Sequence, residues 1–277
     1  MMQAWCLLVV VFSACLAPAV LAEVTWPIPA VAIIIDDIGY RHQQDREVMT
    51  LPGALAVSIL PHTPYADEMA RMAAAAGKDV MLHVPMEPIH AGKNASLGPG
   101  ALMLNMDRVE LMSTLNQNLR AVPTAIGVNN HMGSLLTGDT QHMQWLMESL
   151  RIHNKFFVDS VTSDRSVAAD VARRKGVPSL RRDVFLDDVL TTRNLYANFQ
   201  ELIKVARRQG SALAIGHPHP ETIALLREQL PQLAHQGVRL ISVPHLLRMR
   251  AIKGSGNLRV SNSVSGHSSA GSASLAP

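Results

Sequence analysis

Residues 31–37 read VAIIIDD, which is five consecutive apolar residues followed directly by two aspartates. A short, continuous apolar run is typical of a parallel strand covered on both faces. Further candidate strands, several of which are also continuous apolar runs, lie at 54–60, 79–84, 125–128, 155–158, 182–186, 211–215 and 238–243. Helical patterns separate them at 64–77, 107–120, 139–153, 165–175, 195–209 and 220–236. This alternation predicts an α/β fold, namely a distorted (β/α) barrel of about seven strands, with a doubly wound open sheet as the alternative.

The composition excludes several classes of protein. Of the 277 residues, 48% are hydrophobic and 17% are charged, which excludes a disordered or collagenous chain. The net charge of +3 arises entirely from residues outside 31–247, so we expect no broad basic face and no nucleic-acid partner. After Ala22 there is no apolar run of about 18 residues, so we expect no membrane-spanning helix.

The two ends of the chain differ from its body. Residues 5–16 are an apolar stretch and Val20-Leu21-Ala22 resembles a cleavage site, so residues 1–22 are predicted to be a signal peptide. Lipidation at Cys15 and a buried N-terminal element are the alternatives. Both cysteines lie in this stretch, so a cleaved chain would have no disulfide and no thiol chemistry. Residues 23–250 are predicted to form the domain, and 251–277 a disordered Gly/Ser-rich tail.

Polar residues follow most of the predicted strands at their C-terminal ends, where parallel sheets bind ligands. Imidazole and carboxylate groups together suit zinc or a similar divalent ion, and a further carboxylate could accept a proton from water. Most of these positions also have a plainer interpretation: the aspartates as turn or helix-cap residues, Asn129 and Asn130 as turn residues, the histidines as structural ones, and Arg181 and Arg182 as ion-pair partners of Asp183. The side chains in question are Asp36, Asp37, His83, Glu87, Asn130, His131, Asp159, Asp183, His217 and His219.

Six segments together resemble the divergent polysaccharide deacetylases, a branch of the NodB-homology carbohydrate esterases. The resemblance covers about 31–247 and is carried by 32–39 (AIIIDDIG), 83–88 (HVPMEP), 127–134 (GVNNHMGS), 157–160 (FVDS), 184–188 (VFLDD) and 215–220 (IGHPHP).

The resemblance implies a NodB-like barrel that removes acetyl groups from amino sugars with a divalent metal, zinc being the expected one. It implies Asp36 as base, Asp37 and His83 as metal ligands, and His217 as general acid, with His219 as second candidate. The third ligand is His131 or Glu87, because Glu87 stands where the family's second histidine is expected. The remaining candidates to contact substrate or to orient these groups are Asn130, Asp159 and Asp183.

The family and the predicted signal together imply a periplasmic protein that acts on peptidoglycan or another N-acetylated glycan. Two other functions stay open: a metal- or glycan-binding envelope protein without turnover, and another metal-dependent hydrolase such as a phosphoesterase.

Overall fold

The computed structural model describes residues 28–90, 92 and 97–252. The predicted signal peptide, both cysteines and the tail from residue 253 onward lie outside the described residues. The last described helix continues through 252, two residues past the predicted end of the domain. In the described part of the chain, no helix has the length and apolarity needed to cross a membrane.

The described residues form nine strands and eight α-helices. The strands are β1 (Ala30–Ile38), β2 (Ala56–Ile59), β3 (Asp79–Met86), β4 (Gly127–Met132), β5 (Phe156–Asp159), β6 (Ser179–Arg181), β7 (Val184–Phe185), β8 (Ser211–Gly216) and β9 (Arg239–Leu240). The helices are α1 (His42–Met49), α2 (Ala66–Ala75), α3 (Arg108–Ala121), α4 (Thr140–Ile152), α5 (Ala168–Arg174), α6 (Thr192–Gln209), α7 (Pro220–Gln229) and α8 (243–252).

The strands form one parallel sheet in the order β6-β5-β4-β3-β2-β1-β8-β7, with β9 beside the start of β1. The chain between β6 and β7 joins the two ends of this order. Arg182 N donates to Asp159 O of β5, and Asp183 N donates to Leu213 O of β8. The segment 179–185 therefore occupies one strand position between β5 and β8. The strand predicted at 182–186 corresponds to β7 alone, and β6 was not predicted.

The core separates into an outer and an inner layer, because alternate residues of each strand face opposite sides of the sheet. On β1, Ile33 and Ile35 belong to the outer cluster, which also contains the buried apolar residues of α1–α7. Ala32 and Ile34 belong to the inner cluster, together with Leu246 of α8. The sheet therefore curls around its own inner face, which confirms the distorted barrel and excludes the doubly wound alternative.

Local sequence explains most helix boundaries. Asp107 and Glu110 form a capping box at the start of α3, and Gly210 ends α6 in the left-handed conformation. Helix α7 ends at Gln229, before Pro231, rather than at the predicted 236. The sequence patterns do not predict α1 and α8.

Candidate metal centre

A bulge in β1 places two adjacent aspartates at one site. The pairing of β1 with β2 is irregular between Ile35 and Ile38, and Asp37 has a φ of 59°. In a regular strand Asp36 and Asp37 would face opposite sides of the sheet, whereas a bulge can redirect a side chain. Asp tolerates the left-handed region better than most residues, so the Asp-Asp sequence is compatible with this bend.

Asp37 lies against two histidines from neighbouring strands. Its Oδ1 is 3.2 Å from His83 Nε2 of β3 and 2.8 Å from His131 Nδ1 of β4. This oxygen is buried and has no hydrogen bond of acceptable geometry, although two imidazole nitrogens are so close. Nitrogen and oxygen atoms that converge without a hydrogen bond between them are what a bound cation requires.

Asn129 of β4, which is fully buried and lies in register with His83 of β3, connects the groups around it. Its Oδ1 accepts hydrogen bonds from Ser58 Oγ and from His83 Nδ1, the latter at 2.8 Å. Its Nδ2 donates to Asp36 Oδ1 at 2.8 Å and to Ser160 Oγ at 3.3 Å. Because His83 Nδ1 must carry the proton in this arrangement, His83 Nε2 is left free to bind a metal.

His217 approaches from the opposite side of the site. Its Nδ1 is 2.9 Å from Asp187 Oδ1, and its Nε2 is 3.9 Å from Asp37 Oδ2. Asp187 Oδ2 accepts hydrogen bonds from the backbone N–H of His217 at 2.6 Å and from Thr222 Oγ1 at 2.8 Å. Asp187 thus fixes the orientation of the imidazole and directs Nε2 toward Asp37.

Both candidate proton-transfer groups have raised pKa values, for different reasons. Burial raises the pKa of Asp36, which is 2% exposed, above its ordinary value. Burial alone would lower the pKa of His217, but the hydrogen bond to Asp187 and the charge of Asp37 raise it to about 9. A buried carboxylate of raised pKa suits a base, and a protonated imidazole suits an acid.

Asp37 and His83 also stabilise each other's charged forms. Burial alone would raise the pKa of Asp37, but its contacts with His131 and His83 hold it well below the usual range. Burial alone would lower the pKa of His83, but the charges of Asp36 and Asp37 raise it.

These groups open onto a cavity of about 520 Å³. Asp36, His83, His131 and His217 lie in its wall, and the other lining residues are Pro88, Asn130, Met132, Ser134, Ser160, Val161, Thr162, Arg182, Phe185 and Ile215. The volume lies within the range of small-molecule sites, so one sugar residue could enter.

The structure brings together five of the ten residues singled out in the sequence: Asp36, Asp37, His83, His131 and His217. Asn130 lies beside them, where its side chain bonds to Ser160 N and Met132 O. His219 Nδ1 lies 3.3 Å from Arg41 Nη1.

The other three residues hold loops. Glu87 accepts a hydrogen bond from Leu104 N at 2.6 Å. Asp159 accepts hydrogen bonds from Val161 N and Ser166 Oγ. Asp183 accepts hydrogen bonds from Leu213 N and Arg250 Nη2. Of the two alternatives for the third ligand, His131 therefore lies with Asp37, whereas Glu87 is turned toward the loop.

Three residues of the site were missed as site residues in the sequence. Asn129 and Asp187 read as turn residues after strands, and Arg182 as an ion-pair partner of Asp183. Asp183 pairs with Arg250 instead, at 2.6 Å. For Asn129 a signal exists, because strand alternation puts it on the same face of β4 as His131.

The residues present fit a divalent cation. Two groups of described residues bring possible ligand atoms within 4.8 Å of one another: Asp37 with His83 and His131, and Asp187 with His217 and His219. The first has an unsatisfied carboxylate oxygen and a free Nε2. In the second, both Asp187 oxygens already accept hydrogen bonds. One carboxylate, two imidazoles and an open side toward a cavity are typical of catalytic zinc sites.

Comparisons with known proteins show which family this chain belongs to. The family model described as divergent polysaccharide deacetylase matches residues 33–247. An uncharacterized protein of Haemophilus influenzae is 40% identical over 217 residues, covering 78% of this chain and 76% of that protein. The uncharacterized protein YibQ of Escherichia coli is 38% identical over 220 residues, covering 79% and 68%.

Among solved structures, the uncharacterized protein ATU2773 of Agrobacterium tumefaciens has the same fold. Its TM-score is 0.76 at 21% identity, with 79% of this chain and 89% of that chain covered. The extent of the family match and the identity to two relatives lead to one conclusion: the chain belongs to the divergent polysaccharide deacetylase family.

Proposed function

We propose that this protein is a metal-dependent deacetylase that hydrolyses the acetamide of an N-acetylated sugar in a glycan. The observation that carries the proposal is Asp37 Oδ1, a buried oxygen without a hydrogen bond that lies within 3.2 Å of His83 and His131. Asp36 Oδ2 lies 3.7 Å from His83 Nε2, and His217 Nε2 lies 3.9 Å from Asp37 Oδ2. Metal ligands, a base and an acid therefore open onto one cavity.

Asp37, His83 and His131 would hold the metal, and zinc suits this donor set. A divalent metal bound there supplies Lewis acidity and lowers the pKa of water. Asp36, held by Asn129, accepts the proton of the attacking water. His217, held by Asp187, donates a proton to the amine as the carbon–nitrogen bond breaks, so the products are acetate and a free amino sugar.

The first experiment measures metal content and acetate release in the same preparations of zinc-reconstituted protein. We expect about one zinc per chain, lost in Asp37→Ala and in His131→Ala. The exposed His153, which bonds to Asn116, provides the matched control, and His153→Ala should retain zinc. Asp36→Asn should retain zinc and release no acetate from N-acetylated oligosaccharides.

Three results would contradict the proposal. A parent protein that binds no metal after reconstitution would remove its basis. Turnover by Asp36→Asn would refute the role of the base. Release of phosphate from phosphate esters, without release of acetate from any N-acetylated glycan, would assign the site to a phosphoesterase.

We also propose that the protein acts in the periplasm. The apolar stretch 5–16 and the Val20-Leu21-Ala22 sequence support export. Fractionation of cells that make the full chain tests this proposal, and a protein found entirely in the cytoplasmic fraction with its N-terminus intact would refute it.

A further inference from the structure

Arg182 is held rigidly in the wall of the cavity. Its Nε donates to Ser160 O at 2.7 Å and its Nη2 to Val161 O at 2.8 Å. The guanidinium also lies over the Phe185 ring, 4.6 Å from its centroid. Two carbonyls and an aromatic face therefore fix the plane of the guanidinium before any ligand arrives.

Asp36, Asp159 and Asp188 carry negative charges that favour the charged form of this guanidinium, but none of them forms an ion pair with it. No carboxylate oxygen of a described residue lies within 4.0 Å of Arg182, and its Nη1 has no hydrogen-bond partner among the described residues. Its neighbour in sequence differs, because Arg181 is 53% exposed and lies 3.7 Å from Asp159 Oδ2. A partly buried, unpaired cation costs free energy, so a bound anion would stabilise it.

The rest of the cavity tolerates such an anion. Asp36 and Asp37 carry the negative charge of the site, and a divalent cation held by the proposed ligands would offset both charges. His217 is already paired with Asp187, so Arg182 is left to attract an anion. A planar guanidinium with free N–H groups matches a carboxylate better than it matches a hydroxyl group.

We propose that Arg182 binds a carboxylate carried by the substrate sugar, so that the site selects acidic N-acetylated sugars over neutral ones. This inference rests on the proposed deacetylase function. It adds a specificity determinant that takes no part in proton transfer or metal binding.

The test compares two sugars that differ by one acidic substituent, N-acetylmuramic acid and N-acetylglucosamine. Ligand-observed NMR on zinc-reconstituted protein gives both affinities, and the free acetate signal in the same spectra reports turnover separately. For the parent protein we expect the acidic sugar to bind about tenfold more tightly, as one charge-assisted contact supplies. Equal affinities in the parent protein would overturn the proposal, whatever the variants do.

Arg182→Met should bring the ratio of affinities close to one, and Arg182→Lys should restore part of it. Arg181→Met removes the same charge one residue away and should leave the ratio unchanged. Because each ratio is internal to one protein, a loss of folded fraction cancels. Tighter binding of N-acetylglucosamine 6-phosphate than of the carboxylate sugar would overturn the assignment to a carboxylate. A tenfold preference without acetate release would support the anion site and count against the deacetylase.

Discussion

Asn129 is the residue at which metal binding and proton transfer can be separated by two substitutions. Its carbonyl oxygen holds His83 and its amide nitrogen holds Asp36. Asn129→Asp keeps the acceptor for His83, removes the donor to Asp36 and places a second negative charge beside it. Asn129→Ala removes both functions.

The structure sets the size of each effect. A hydrogen bond to a charged group contributes about 1.5–3 kcal/mol, so losing the donor to Asp36 should slow acetate release by about 10- to 100-fold. The added like charge raises the pKa of Asp36 further, which adds to that loss. Removal of the partner that orients a metal-binding histidine weakens metal affinity by about 10- to 100-fold. We therefore expect Asn129→Ala to lose both zinc affinity and turnover, and Asn129→Asp to lose turnover alone.

Competition with a zinc chelator gives the affinity, and release of acetate gives the rate. Asn118→Ala is the matched control, because Asn118 is also fully buried but bonds to His62 and to Gly100 O instead. If Asn129→Asp lost zinc while Asn129→Ala kept it, the proton assignment on His83 would be wrong. Equal loss of zinc in Asn118→Ala would show that the effect is general destabilisation.

Three further predictions concern stability. First, zinc at a free concentration of about 100 times its Kd should raise the free energy of unfolding by about 2.7 kcal/mol. Urea unfolding with and without a chelator measures this, and a similar gain in Asp37→Ala would contradict the ligand assignment. Second, Gly127→Ala should destabilise by about 1–3 kcal/mol, because the new Cβ would lie 2.2 Å from a Phe156 ring carbon. The double variant with Phe156→Leu should recover part of the loss, and a Gly127→Ala protein as stable as the parent would refute the packing argument. Third, burial raises the pKa of Asp45 above 3.8, although its Oδ2 accepts hydrogen bonds from Gly39 N and Arg41 N. The folded state then binds this proton more tightly than the unfolded state, so stability falls as pH rises from 3.8 through the folded pKa. Unfolding free energies across that range should fall less in Asp45→Asn, and identical pH profiles would count against this interpretation.

The strands and most helices could be predicted because their signals are local. Continuous apolar runs mark β1 and β8, and the rule that ligands bind at the C-terminal ends of parallel strands leads to the edge of the sheet where Asp37, His83 and His131 meet. That rule gathers the candidate residues, and the family resemblance then selects Asp37 and His83 and offers His131 or Glu87. The choice between His131 and Glu87 could not be made in the same way, because it depends on which way each side chain turns after its strand ends.

The features missed in the sequence depend on contacts between distant segments. The bulge beside Asp37, which lies against His83 and His131, arises where β1 changes its pairing with β2. Arg182 faces the cavity because the curled sheet brings residue 182 beside residues 160 and 161. The sequence pattern did not predict helix α8. Its Leu246 packs against the inner face of the sheet, where no helix was expected.

Helix α8 also sets a practical limit on how short a fragment of this protein can be. The family match ends at residue 247, yet Arg250 reaches from α8 to Asp183 Oδ2 and Ser211 Oγ. Asp183 directly follows Arg182, so the C-terminal helix is tied to the same segment that lines the cavity. A fragment cut at the family boundary would lose this attachment and leave a carboxylate without its cation. Fragments for crystallisation or ligand screening should therefore extend through residue 252.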